Sequence, residues 1–108
     1  MSITINVYYT GKNGSAGSFA EEMEQSGIAD RIRAEEGNLR YEYFTPLCSE
    51  NTVLLIDCWK DQAALDLHHS SAMMREIAAL REKYDLHMKV ERYISDDPEP
   101  NDKQFVRE

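Results

Sequence analysis

Asp57, Trp59 and His68 are the residues of this 108-residue chain whose types and spacing could do chemistry together. They fall within VLLIDCWKDQAALDLHHSSAMM (residues 53–74), where an apolar run ends on Asp57-Cys58-Trp59 and the pair His68-His69 follows. Histidine titrates near neutrality, which suits an imidazole to take a proton from a phenolic or quinol hydroxyl. Deprotonation makes such a ring electron-rich enough to hand an electron directly to dioxygen. Adjacent histidines on a helix diverge by about 100° and cannot face one pocket or bind one metal together. The run Leu65-His68-Ala72 turns His68 inwards and leaves His69 nearer solvent. An inward histidine is either a base or a hydrogen-bonded core residue. Trp59, at the end of a buried strand, is a core aromatic, a wall for a flat substrate, or both. Asp57 shares a strand face with Val53, Leu55 and Trp59, where a carboxylate is costly without a partner. That partner is His68, the backbone, or an arginine such as Arg40 or Arg92.

Further candidates surround these three. Tyr8, Tyr41 and Tyr43 offer strand-borne phenols, and Met73 and Met74 offer adaptable apolar surface for core or ligand. His87 stands alone on the last strand. No HExxH, GxGxxG or phosphate-loop pattern occurs, and Cys48 and Cys58 form neither a CxxC pair nor a disulfide framework, so neither metal nor cofactor is expected. The net charge of −8 argues against nucleic-acid and anionic-membrane partners. No apolar run approaches the roughly 20 residues that span a bilayer, and MSITINVYYTG has no signal-peptide pattern, so a cytoplasmic location is expected.

The elements that must position these residues follow from periodicity. Ile3, Ile5, Val7 and Tyr9 alternate with Thr4, Asn6 and Tyr8, which predicts a strand. Gly11–Gly17 reads as a flexible loop, and Ser18-Phe19-Ala20-Glu21 fits a capping box opening a helix. Gly27 interrupts that helix, and Gly37 stops it. Leu39–Phe44, with Leu39, Tyr41 and Tyr43 on one face, forms a hairpin with Thr52–Trp59. Asp61 caps the next helix, Ser70-Ser71 breaks it, and Met73, Ile77, Leu80 and Tyr84 make a buried stripe. Leu86–Ile94 alternates again. Residues 1–95 thus form one domain, and 96–108 form an acidic, proline-broken tail expected to be extended or disordered. The order β-α-β-β-α-β is the ferredoxin-like α+β arrangement, a four-stranded antiparallel sheet with helices on one face. Because Thr52–Trp59 is apolar on both sides, the sheet's other face is expected to pack against a second copy in a homodimer.

With GNLRYEYF (residues 37–44), Asp57 two before Trp59, and His68 early in the next helix, residues 3 to 95 resemble the antibiotic biosynthesis monooxygenase family, whose members are dimeric α/β-barrels. The resemblance implies cofactor-independent oxygenation of a quinol-like or polycyclic aromatic molecule. His68 would be the base, Trp59 the wall, and Asn6 a polar anchor for substrate or dioxygen, with Tyr8, Tyr41, Tyr43, Asp57 and Met73 around the ligand. One branch of the family instead processes a small signalling sugar, which gives an isomerase as an alternative. A dimer that binds an apolar metabolite without turnover, as a stress-response module, is another. Relatives often carry a second histidine one turn after the first, where this chain has Ala72-Met73-Met74. The haem-degrading branch shares the strand-one asparagine but places a tryptophan near position 68 and a histidine further on, where this chain has Ile77-Ala78.

Overall fold

A computed structural model describes residues 1–108. Strands β1 (Ile3–Thr10), β2 (Asn38–Phe44), β3 (Thr52–Trp59) and β4 (His87–Ile94) form one antiparallel sheet in the order β2-β3-β1-β4. Helices α1 (Ser15–Gln25) and α2 (Ile28–Arg33) link β1 to β2, and α3 (Gln62–His69) and α4 (Met73–Lys83) link β3 to β4. A short α5 (Pro100–Lys103) lies in the tail. This is the expected ferredoxin-like α+β fold with each crossover helix broken in two.

Register sorts the strand residues into two faces. Ile3 pairs with Trp59, Ile5 with Asp57, Val7 with Leu55 and Tyr9 with Val53. Tyr41 and Tyr43 join them from β2, and Met88, Val90 and Arg92 from β4. The helices pack on this face, where Phe19, Met23, Ile32, Leu65 and Ile77 meet Tyr9, Leu55 and Trp59 in one apolar core. The opposite face carries Asn6, Tyr8, Leu54, Ile56 and Cys58, and these stay only partly buried because no helix covers them.

Three local expectations are corrected. Gly11–Gly17 is not a loop: Lys12–Gly14 forms a 3-10 turn, and α1 begins at Ser15. The segment is tied to the loop before β3, with Gly11 N–H donating to Asn51 O at 3.0 Å and Gly14 N–H to Asn51 Oδ1 at 3.3 Å. Gly14, at φ 75°, takes the position before α1 with no side-chain cap, so Ser18 and Glu21 lie inside the helix and form no capping box. Leu39 does not share the face of Tyr41 and Tyr43. Pairing steps from Asn38 opposite Trp59 to Arg40 opposite Cys58, and this bulge turns Leu39 outwards, 59% exposed. In the tail, Glu99 and Asp102 form a reciprocal capping box that opens α5, although every residue beyond Ile94 is exposed.

Candidate functional site

Between the helix-covered face and α3–α4 lies a cavity of about 400 Å3. Ile5, Val7 and Leu55 line it from the sheet, with Leu65, Met74 and Ile77 from the helices, so its walls are mostly apolar. Its polar groups are few: Tyr9, Tyr41, Asp57, His68, Arg81 at the interior, with Gln62, His69 and Arg92 also contributing.

His68 reaches this cavity because Asp61 caps α3, accepting from Ala64 N–H at 2.9 Å, and because Ala64, Leu65 and His68 form the helix's buried face. Two contacts fix its ring. The imidazole stacks on the indole of Trp59, with centroids 4.7 Å apart and planes 28° from parallel. Its Nδ1 lies 3.0 Å from Glu35 Oε1, with both side chains largely buried. A carboxylate only accepts, so Nδ1 carries the hydrogen beside it, and in the neutral form of the ring Nε2 is the acceptor nitrogen. Glu35 follows α2 in a turn completed by Gly37, which sits at φ 87° and accepts from Lys60 N–H at 2.8 Å. A Cβ on Gly37 would come within 2.5 Å of Ala64 Cβ. The missing side chain thus lets α3 close against the turn that holds Glu35.

Asp57 is 7% exposed and lines the cavity, yet its Oδ1 has no hydrogen-bond partner. Burial raises its pKa to about 7, the indole N–H of Trp59 pulls it back down in part, and the Glu35 carboxylate adds to the rise. The indole interaction falls short of a formed hydrogen bond, since Trp59 Nε1 is also buried without a partner. An unpaired buried charge costs more than protonation does, so Asp57 stays close to the balance between acid and base at neutral pH. Tyr9 accepts from Arg81 Nη2 at 3.1 Å, and burial raises its phenol pKa against the pull of that guanidinium. Tyr41 and Tyr43 share a hydrogen bond of 2.8 Å, and burial drives both phenols upwards, so they remain neutral.

The placement of the anticipated residues is mixed. His68, Asp57 and Tyr41 meet at the cavity. Trp59, 0% exposed, is sealed behind the imidazole, so the face expected to meet a substrate is occupied by His68. Tyr43 backs Tyr41 and packs edge-on against Phe19, with centroids 6.3 Å apart. Met73 packs against the core, whereas Met74 lines the cavity. Asn6 and Tyr8 lie on the opposite sheet face, opposite Ile56 and Leu54, away from His68. Asp57 takes none of the partners weighed for it: Arg40 pairs with Glu42, Arg92 donates to Gln62, and the carboxylate at His68 is Glu35. The expectation that adjacent histidines cannot face one pocket is corrected: His69, though exposed, lines the same cavity as His68 at its rim, and burial, His68 and Arg81 lower its pKa. Tyr9 was legible from its strand face, since it alternates in phase with Ile3, which pairs with Trp59. No spacing rule pointed to Glu35 or Arg81. No group of three or more His, Cys, Asp or Glu side chains is assembled to hold a metal ion. No helix is long and apolar enough to cross a membrane.

Known proteins share this architecture. The chain is 36% identical over 56 residues to "Putative monooxygenase YcnE" of Bacillus subtilis, a match covering 52% of this chain and 59% of that protein. SnoaB of Streptomyces nogalater, a cofactor-independent oxygenase, superposes with a TM-score of 0.74 at 13% identity, over 92% of this chain and 97% of SnoaB. PA3566 from Pseudomonas aeruginosa does so with a TM-score of 0.75 at 22% identity, over 89% and 95% of the two chains. At these identities the superpositions show the shared fold. The family model for antibiotic biosynthesis monooxygenase matches residues 2–80, a span that holds Glu35, Asp57, Trp59 and His68 together, and the chain belongs to that family.

Proposed function

We propose that the cavity oxidises a phenolic or quinol-like aromatic molecule with dioxygen, without a cofactor. One observation carries this reading: His68, braced by Glu35 and stacked on Trp59, opens into the same apolar chamber as the unpaired Asp57. His68 Nε2 takes the hydroxyl proton of the substrate, and Glu35 stabilises the resulting imidazolium through Nδ1. The electron-rich ring then reduces dioxygen, which adds at a ring carbon bearing hydrogen, and His68 returns its proton to the peroxide. Loss of that carbon's proton to Asp57 cleaves the O–O bond. Hydroxide leaves, collects the proton from Asp57 as water, and a quinone remains. One oxygen atom ends in product and one in water.

The family membership and the oxygenase activity of SnoaB support this chemistry, and the apolar lining favours a ring over a sugar. The test is oxygen uptake with 1,4-dihydroxynaphthalene and 1-naphthol, corrected for autoxidation, with heavy-oxygen labelling of the product. Wild type is expected to incorporate one labelled atom from dioxygen into the product of 1-naphthol, and His68→Gln is expected to lose about a hundredfold in rate or more. Equal rates in the two proteins remove His68 from the mechanism. Thermal stabilisation by the naphthol with no product identifies a binding module instead.

A second copy of the chain is the proposed cover for the other sheet face. Leu54, Ile56, Phe44 and Tyr93 are partly or well exposed there, and Asn6 Oδ1 is buried without a partner. A homodimer would bury that apolar surface symmetrically.

A further inference from the structure

Arg81 is the more buried of two cavity-lining arginines whose charge has no counterpart. Arg31, Arg33 and Arg40 each hold a carboxylate on the surface, at 3.1, 2.6 and 2.7 Å. Arg81, on α4, takes part in no ion pair, although acidic residues outnumber basic ones 20 to 12. Its guanidinium is held in place. Nη2 donates to the hydroxyl of Tyr9 at 3.1 Å, and the guanidinium carbon lies 5.6 Å from the centroid of the Tyr9 ring. Its Nε–H is buried and has no acceptor.

The cavity's only carboxylate does not answer this charge. Asp57 makes no ion pair, and burial favours its neutral form. Arg92, exposed and donating to Gln62 at 2.7 Å, adds a second cation at the lining and likewise makes no ion pair. The chamber is therefore apolar and net cationic inside an acidic protein. A half-buried guanidinium without an anion loses part of its hydration and gains little in return, whereas a carboxylate arriving at it forms charge-assisted hydrogen bonds in a largely apolar surround.

We infer that the ligand of this cavity is an aromatic molecule carrying a carboxylate, which the fixed guanidinium of Arg81 receives while the ring lies among Val7, Leu55, Met74 and Ile77. This rests on the cavity being the ligand site and deepens the reading of an aromatic substrate. It assigns Arg81 the role of selecting anionic over neutral rings. The cation also draws negatively charged ligands towards an opening that the acidic surface elsewhere would repel.

The test measures binding rather than turnover, so that it succeeds or fails independently of oxygenase activity. Affinities of 2-naphthoate and its neutral counterpart 2-naphthamide are compared at pH 7 by calorimetry, for wild type, Arg81→Gln and Arg75→Gln. Arg75 is exposed and outside the cavity lining, and so controls for net charge. Wild type and Arg75→Gln are expected to bind the carboxylate about tenfold tighter than the amide or better, and Arg81→Gln is expected to lose that preference while still binding the amide. Preference in wild type without oxygen consumption by any substrate upholds the assignment of Arg81 and rejects the monooxygenase reading. Equal affinity for the two probes, no binding of the carboxylate, or a preference that survives in folded Arg81→Gln overturns it. The fold of that variant is checked by the fluorescence of Trp59, the chain's single tryptophan.

Discussion

At the scale of single residues, two carboxyl groups that look alike in the sequence have opposite roles in the structure. Glu35 touches no cavity and acts through His68, whereas Asp57 faces the cavity and touches no partner. Glu35→Gln keeps the shape but exchanges an acceptor for an amide that can also donate, so Nδ1 no longer needs to carry the hydrogen. The expected outcome is a fall in kcat of about tenfold to a hundredfold and a displaced acid limb of the pH–rate profile, measured by oxygen uptake. A purely structural role would lower stability and leave the profile in place.

Asp57 makes a separate prediction about stability. Unfolded, it titrates near its ordinary value of 3.8, and in the fold at about 7. Between these values the folded state holds more protons than the unfolded chain. Its contribution therefore turns unfavourable as pH rises through that window, and the loss is complete above about 7. Asp57→Asn removes this dependence. Relative to wild type, the variant should gain of order a few kcal/mol on going from pH 4 to pH 8, read from denaturant midpoints. A wild-type-minus-variant difference that does not change with pH would show that Asp57 is ionised in the fold throughout.

At the scale of elements, two glycines with nearly equal φ, 86° and 87°, are predicted to behave differently. Gly27, between α1 and α2, has φ 86° and open space where a Cβ would stand. Gly27→Ala is expected to cost about 1–2 kcal/mol from left-handed strain alone, with activity intact. Gly37→Ala meets the same strain and drives a methyl into Ala64, so α3 must move from the turn bearing Glu35. It is expected to cost more and to reduce activity as well, as thermal melts beside turnover would show. The elements themselves were largely legible. Alternation in Ile3–Tyr9 and the stripe Met73-Ile77-Leu80-Tyr84 reflect burial of one face, and burial is what composition records most directly. The sequence also placed His68 inwards and Asp57 on Trp59's face. It did not reveal the Leu39 bulge, which changes phase by one residue, or the Glu35–His68 pair, which joins positions 33 apart through two turns. The capping box at Ser18 failed because helix start depended on Asn51, a residue from another loop.

At the scale of the whole molecule, the two sheet faces set different tasks. If the uncovered face is a dimer interface, sedimentation equilibrium should give about twice the 12.5 kDa chain mass. Ile56→Glu should then yield a monomer whose helix-side core is unchanged, because Ile56 belongs to the face away from that core. A dimeric Ile56→Glu protein would place the interface elsewhere.

The helix-covered face has an unfinished border at β4. Met88 and Val90 line the cavity yet remain 43% and 54% exposed, while their neighbours across the register, Tyr9 and Val7, are buried. The hollow consequently has an exposed lip along the last strand, while Leu55 and Ile77 wall its buried part. A guest bound as proposed would be gauged for thickness between sheet and helix and could project past that lip along β4, which would make length the weaker filter.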